Sequence, residues 1–262
     1  MPEISATLAA RGAQFVVQPT AWVNASTVPG EYRNIQPEFL LAARALEFGL
    51  PFISCSKSGR DTPSMGYVGQ SRMVDDKGVT LATAEIEGDE LVVAEVSPSM
   101  CPPRPVDARL IQQLLSAEPP FTSESVSLNC EVRLRHGPED VICQLQGKGA
   151  RVARFMAAEL DRFAPARLAA LKGDQVIVVV DSEAPDMRLA RARAAENRVF
   201  LLCFAGGAMC IVVDPTGAVL WQAGDKAESI QIDVGLSDRK FFTPTTDIWS
   251  QRRVECYQFA PR

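Results

Sequence analysis

The chain has 262 residues, 47% of them hydrophobic, and a net charge of −5 from 27 basic and 32 acidic side chains. That balance leaves no electrostatic footprint for nucleic acid, and no apolar run has membrane-spanning length or the form of a signal peptide. The length suits one large core or two modest ones, and seven cysteines without a secretory signal point to a reducing, cytoplasmic setting.

Residues 3–11 carry alanines and leucines at helical spacing, and Gly12 stands where a helix C-cap belongs. Phe15-Val16-Val17 is a short continuous run of β-formers, as in a strand covered on both faces, and Pro19 ends it. A second helix is predicted over 36–48, with Phe39, Leu40, Ala43 and Leu46 on one stripe. A strand over 51–55 and a Gly- and Ser-rich loop over 56–66 follow. Strands at 71–75 and 79–84 are joined by the tight turn Asp75-Asp76-Lys77-Gly78, and 91–96 reads as a closing strand. Residues 98–105 read as a Pro-rich linker and 107–116 as a helix. Residues 124–134 and 140–146 read as an antiparallel pair turning at His136-Gly137-Pro138-Glu139-Asp140.

The rest of the chain repeats the beginning. Gly12, Arg44 and Asp75 match Gly173, Arg193 and Asp214, in the same order and with shorter loops in the second copy. The second copy predicts strands at 176–180, 199–203, 209–213, 218–221 and 230–234 and a helix over 189–196. Two copies are too few for a solenoid, so a duplicated half-domain is the better reading. Strands alternating with helices predict an α/β fold.

Several stretches carry a resemblance. Pro2-Glu3, Gly12-Ala13-Gln14, Pro19-Thr20-Ala21-Trp22, Arg44-Ala45-Leu46-Glu47, Gly69-Gln70-Ser71 and Asp75-Asp76-Lys77-Gly78 stand in the first copy. Arg193-Ala194-Ala195-Glu196-Asn197 and Asp214-Pro215-Thr216-Gly217 stand in the second, and Asp247 with Arg252-Arg253-Val254-Glu255-Cys256-Tyr257 at the tail. In this order they resemble the nitrilase, or carbon–nitrogen hydrolase, superfamily over about residues 2–96 and 151–258. The resemblance implies a nitrilase-like α-β-β-α sandwich, here built from two incomplete repeats: copy one at 1–97, a linker, helix and hairpin at 98–150, and copy two at 151–262.

It also implies a chemistry, in which a cysteine attacks an amide or nitrile carbon, a glutamate acts as base and a lysine stabilises the oxyanion. In copy one the cysteine position falls before Pro2, outside the chain. In copy two it falls sixteen residues before Gly173, at Ala157, with Glu159 two residues on. Thr20, Trp22 and Glu159 are the pocket-lining candidates. An alanine has no nucleophile, so the expectation is a catalytically silent binding or scaffold module. The alternative is the C-terminal part of an active hydrolase whose Cys, Glu and Lys lie upstream of Met1.

Other residues receive plainer readings. The spacing of the cysteines offers no zinc site, and Cys55, Cys203 and Cys210 read as small buried hydrophobes. Lys148 reads as a hairpin lysine exposed to water, and the single His136 falls in a predicted turn rather than buried beside a nucleophile. Glu47 and Glu196 read as helix anchors paired with Arg44 and Arg193. No cofactor and no metal are expected. The partners implied are a second copy or a nitrilase-type chain, with a small amide or nitrile as ligand and neither nucleic acid nor membrane.

Overall fold

The computed structural model describes residues 2–26, 28, 30–99, 108–118, 127–238, 241–243, 246–247, 252, 254 and 257. The chain divides into two compact units, Met1–Pro105 and Val106–Tyr257.

In the first unit α1 (Pro2–Ala10) ends at Gly12, whose φ of 82° is a left-handed conformation that glycine adopts without a Cβ penalty. β1 (Val16–Thr20) follows, then a π-helical turn (Gln36–Leu40) that runs into α2 (Leu41–Phe48). β2 (Phe52–Ser56) pairs parallel with β1. The predicted loop after it contains a small hairpin, β3 (Arg60–Thr62) with β4 (Met65–Gly66). β5 (Arg72–Val74) and β6 (Thr80–Thr83) complete a four-stranded sheet of order β1-β2-β5-β6. Ala9, Trp22, Leu41, Ala45, Leu50, Phe52, Val68 and Val74 form an apolar cluster between sheet and helices.

The closing strand expected at 91–96 is not one: these residues have no ladder partner among the described residues. β-forming side chains alone do not make a strand when no neighbouring backbone takes up the hydrogen bonds.

The second unit opens with α3 (Ala108–Ser116), whose terminal carbonyls at Leu114 and Ala117 accept hydrogen bonds from the Arg252 guanidinium. β7 (Asn129–Arg133) follows, and then α4 (Pro138–Gly147) where the second arm of a hairpin was expected. Pro138 opens the helix, Glu139 and Asp140 stand in its first turn, and Val141 and Leu145 bury one face, so local signals for a helix prevail. Next come β8 (Val152–Phe155), α5 (Ala157–Leu160), α6 (Phe163–Leu171), β9 (Val176–Asp181), α7 (Met187–Asn197), β10 (Phe200–Ala205), β11 (Ala208–Val213), β12 (Val219–Gln222) and β13 (Ser229–Asp233). A 3₁₀ turn (Val234–Asp238) and the short pair β14 (Phe241–Thr243) and β15 (Thr246–Asp247) end the described elements.

The second sheet has the order β12-β11-β10-β9-β8. β8, β9 and β10 are parallel, whereas β11 and β12 are antiparallel. Along β9 to β12 this reproduces the pairing of β1, β2, β5 and β6, including a bulge between the last two strands at Met73/Val74 and at Val212/Val213. Local details coincide too. Asp75 Oδ1 accepts from the amides of Lys77 and Val79, and Asp214 Oδ1 accepts from those of Thr216 and Ala218. Beside β8 the second sheet has what the first lacks among its described strands, a cover on its other face. Val178, Leu202, Val212 and Trp221 pack there with Cys130 and Val132 of β7, Ile232 of β13, and Val141 and Leu145 of α4. β7 and β13 pair antiparallel to form that covering ribbon.

Candidate functional site

Strand β8 leaves the sheet through Met156, whose extended backbone turns the chain directly into α5. Ala157 is the first residue of that helix, so it occupies the kind of strand-to-helix elbow at which a nucleophile is presented. Its amide donates to Asp181 Oδ2 at the end of β9, 3.0 Å away. Glu159 is exposed and its carboxylate accepts the Met156 amide at 2.8 Å, satisfying a free N–H at the helix start. On the other side of Asp181, Ser182 Oγ donates to Asp181 Oδ1 at 3.3 Å.

Asp181 was not singled out from the sequence. It stands eight residues past Gly173 as Thr20 stands eight past Gly12, and the Asp181 carbonyl accepts from Gly206 as the Thr20 carbonyl accepts from Lys57. The signal was therefore available in the equal spacing from the two glycines. Backbone amides of Ser182 and then Ala157 hold the Asp181 carboxyl below the usual carboxylate range. Such a carboxylate is a weak base at neutral pH and is poorly suited to take a proton from Ser182.

Thr20 is half-buried at the end of β1, and Trp22 is buried within the first unit's apolar cluster. The Trp22 amide donates to Ser56 Oγ at 3.3 Å, while its indole N–H is buried with no acceptor. A polar cavity of about 270 Å³ nearby is lined by Asn24, Ser26, Tyr32, Arg60 and Ser64 among others, but by neither Thr20 nor Trp22. Beside it, Lys57 pairs with Asp61 and sits 4.7 Å above the Tyr67 ring, and Tyr67 donates to Asp61 at 2.6 Å. The Asp61 hydrogen bond raises the Lys57 and Tyr67 pKa values, and the Lys57 hydrogen bond lowers that of Asp61. All three shifts fix the charge states already present at neutral pH, so the trio is not poised for proton transfer.

The cysteines divide. Cys203 is fully buried and Cys210 half-buried, and burial pushes both thiols up, which keeps them protonated and unreactive. Cys55 is exposed rather than buried, because it alternates away from Ser54 toward the uncovered face of its sheet. Cys101 and Cys256 lie outside the described residues. Lys148 is the exposed C-cap of α4, and His136 is half-buried in the turn before it. Among the described residues no group of three or more His, Cys, Asp or Glu converges on a metal position, and no helix is long and apolar enough to cross a membrane.

The family model for carbon–nitrogen hydrolases matches residues 1–104. This segment is of carbon–nitrogen hydrolase type. Over 97 residues, 37% of the chain, it is 36% identical to the protein YbeM of Escherichia coli K12 and equally to the deaminated glutathione amidase of Escherichia coli O157:H7. The matched part spans 46% and 33% of those two relatives, so less than half of either. Among solved structures, a nitrilase-superfamily amidase from Nesterenkonia AN1 aligns at 18% identity and a TM-score of 0.30, covering 97% of this chain and 90% of that one. The C. elegans NitFhit protein aligns at 14% and 0.35, covering 99% and 63%. The motifs Pro19-Thr20-Ala21-Trp22 and Arg44 to Glu47 lie within the matched segment, and Ala157 lies beyond it.

Proposed function

We propose that the chain is a catalytically silent carbon–nitrogen hydrolase, two incomplete nitrilase-type repeats that serve as a binding or scaffold module. One observation carries this reading: the elbow after β8, where the superfamily resemblance puts the attacking cysteine, presents the methyl group of Ala157. The neighbouring groups supply no substitute, since Asp181 is held ionised by backbone amides and Glu159 caps the helix. The repeat reading is supported by the matched strand order, bulges and aspartate turns of the two sheets. By analogy with its amidase relative, the ligand class is a small amide, carbamoyl compound or nitrile.

The partial coverage of the curated relatives favours one second reading, in which this chain is the C-terminal part of an active hydrolase that carries its Cys, Glu and Lys upstream. In-frame codons for such a cysteine motif before Met1 would establish it.

The test is ammonia release from a panel of amides, carbamoyl amino acids and nitriles. We expect no turnover above background from the chain, and none from Ala157→Cys, because a thiol without its base and cation gains no activation. Turnover by the unmodified chain would sink the silent reading.

A further inference from the structure

In the first unit one row crosses the sheet through Gln18, Ser54 and Arg72, side by side on β1, β2 and β5. Side chains alternate along a strand, so this row shares the face of Phe52 and Val74, which belong to the apolar cluster under the helices. It lies toward the carboxyl ends of the parallel pair, where open α/β sheets hold their ligands, and Thr20 and Ser56 form the next rung. The second unit has the same place with different chemistry. Counted from the matching glycines and aspartates, the counterparts of Gln18, Ser54 and Arg72 are Val179, Cys203 and Ile211, which also form one register row and are all buried. Packing against helices is thus met there by apolar residues, and does not itself call for the polar three.

Arg72 is the member of the row that the fold leaves incomplete. Its Nη1 donates to the Pro37 carbonyl at the start of the π-helical turn, which fixes the plane of the guanidinium. Its Nε is buried without an acceptor, and no carboxylate pairs with the half-buried side chain among the described residues. Burial alone lowers the Arg72 pKa, with no acidic neighbour to oppose it. The buried Arg44 and Arg193, by contrast, hold Glu47 and Glu196. A guanidinium with a desolvated N–H and no counter-charge destabilises the chain that carries it. Next to it the buried Ser54 Oγ donates to Gln18 Oε1 at 3.4 Å, and the Gln18 amide nitrogen has no acceptor among the described residues. Donors therefore outnumber acceptors along the row.

We propose that Arg72, with Gln18 and Ser54 beside it, is a binding site for a small molecule bearing a carboxylate, gripped through Arg72 Nε and Nη2. With Nη1 committed to Pro37, the Nε and Nη2 edge remains, and that edge is the fork whose two N–H groups match the two oxygens of a carboxylate. The second unit points to a carboxylate in particular. There Asp181, the counterpart of Thr20 on the neighbouring rung, supplies such a group at this end of the sheet and accepts the amides of Ala157 and Ser182. The first unit has a threonine in place of the acid and a row of donors next to it. A single guanidinium balances a single negative charge, which suits a monocarboxylate better than a phosphate dianion. The inference stands on the first unit and holds whether or not position 157 is silent.

Titration of the full chain with sodium acetate, at an ionic strength held constant with sodium chloride, tests it by nitrogen-edited NMR of the arginine side chains. The Arg72 Nε–H resonance, assigned through its bonded carbons, is expected to shift saturably with acetate, to stay in place with chloride alone, and to respond more weakly to inorganic phosphate. Arg72→Lys should bind acetate about tenfold more weakly, because an ammonium keeps the charge and lacks the fork. Arg72→Met should lose binding while its denaturation midpoint is no lower, since the counterpart Ile211 is apolar and an unpaired charge leaves the sheet. An Nε–H that does not move saturably with acetate, that moves as far with chloride, or that takes phosphate more tightly overturns the proposal, as does a lysine variant that binds acetate equally well. The titration of the unmodified chain decides the matter if a variant does not fold.

Discussion

Among the described residues Arg193 is the largest fully buried side chain, and its charge is held by Glu196 at 2.8 Å and by the Leu160 carbonyl at 2.9 Å. Arg44 and Glu47 form the same pair one unit earlier, at 3.1 Å. A buried pair adds little over a well-packed apolar one, but removing one partner strands the other charge in a poor solvent for ions. Glu196→Ala is therefore expected to cost about 3–5 kcal/mol in urea denaturation. The paired change Arg193→Met with Glu196→Leu should cost less than the single one. Asp181 gives a pH signature with the opposite origin, since its carboxyl is lowered by hydrogen bonds made only in the folded chain. A folded-state pKa below the unfolded one gives stability that is present above the ordinary carboxylate range and is lost as pH falls through it, below about pH 4. Asp181→Asn should flatten that acid limb in a pH series of thermal midpoints by lowering the neutral midpoint toward the acid one, which itself changes little.

At the scale of elements, the turn before β5 is the most constrained. Gly69 has a φ of 56°, and a Cβ there would stand 2.3 Å from the Ile86 carbonyl oxygen and 2.9 Å from that of Glu85. Backbone strain and a clash with rigid carbonyls add, so Gly69→Ala should lower stability by roughly 2–4 kcal/mol, read from the chemical denaturation midpoint. Elements with a local cause were legible in the sequence: α1 and α2 from their spacing and glycine stops, the β5–β6 turn from Asp75 and Gly78. Where reading failed, the deciding partner lay elsewhere. Residues 140–146 carry enough apolar residues for a strand, yet Pro138 and the acidic first turn make a helix. Residues 91–96 have strand composition without a strand beside them, and β8 escaped notice because its place is set by its parallel partner β9.

For the whole molecule, the longest-range feature legible in the sequence was the shared order of Gly12, Arg44 and Asp75 with Gly173, Arg193 and Asp214, which two sheets of like strand pairing accompany. The site was legible only in part. Counting back from Gly173 reached Ala157, and the structure puts that residue at an elbow. The contact of Ala157 with Asp181 and the Lys57, Asp61 and Tyr67 trio were not legible, since they join element ends and connections whose meeting depends on the sheet that carries them.

The ribbon of the second unit also implies an order of assembly. Leu128 and Asp233, joined by a hydrogen bond at the mouth of the ribbon, are 105 residues apart in the chain, whereas β8 to β12 close through short connections. Loop-closure entropy weighs against the distant contact until the intervening sheet has formed. The layer that shields Val178, Leu202 and Val212 is thus expected to arrive last in folding. During that interval the nascent second unit exposes the very row that its cover will hide.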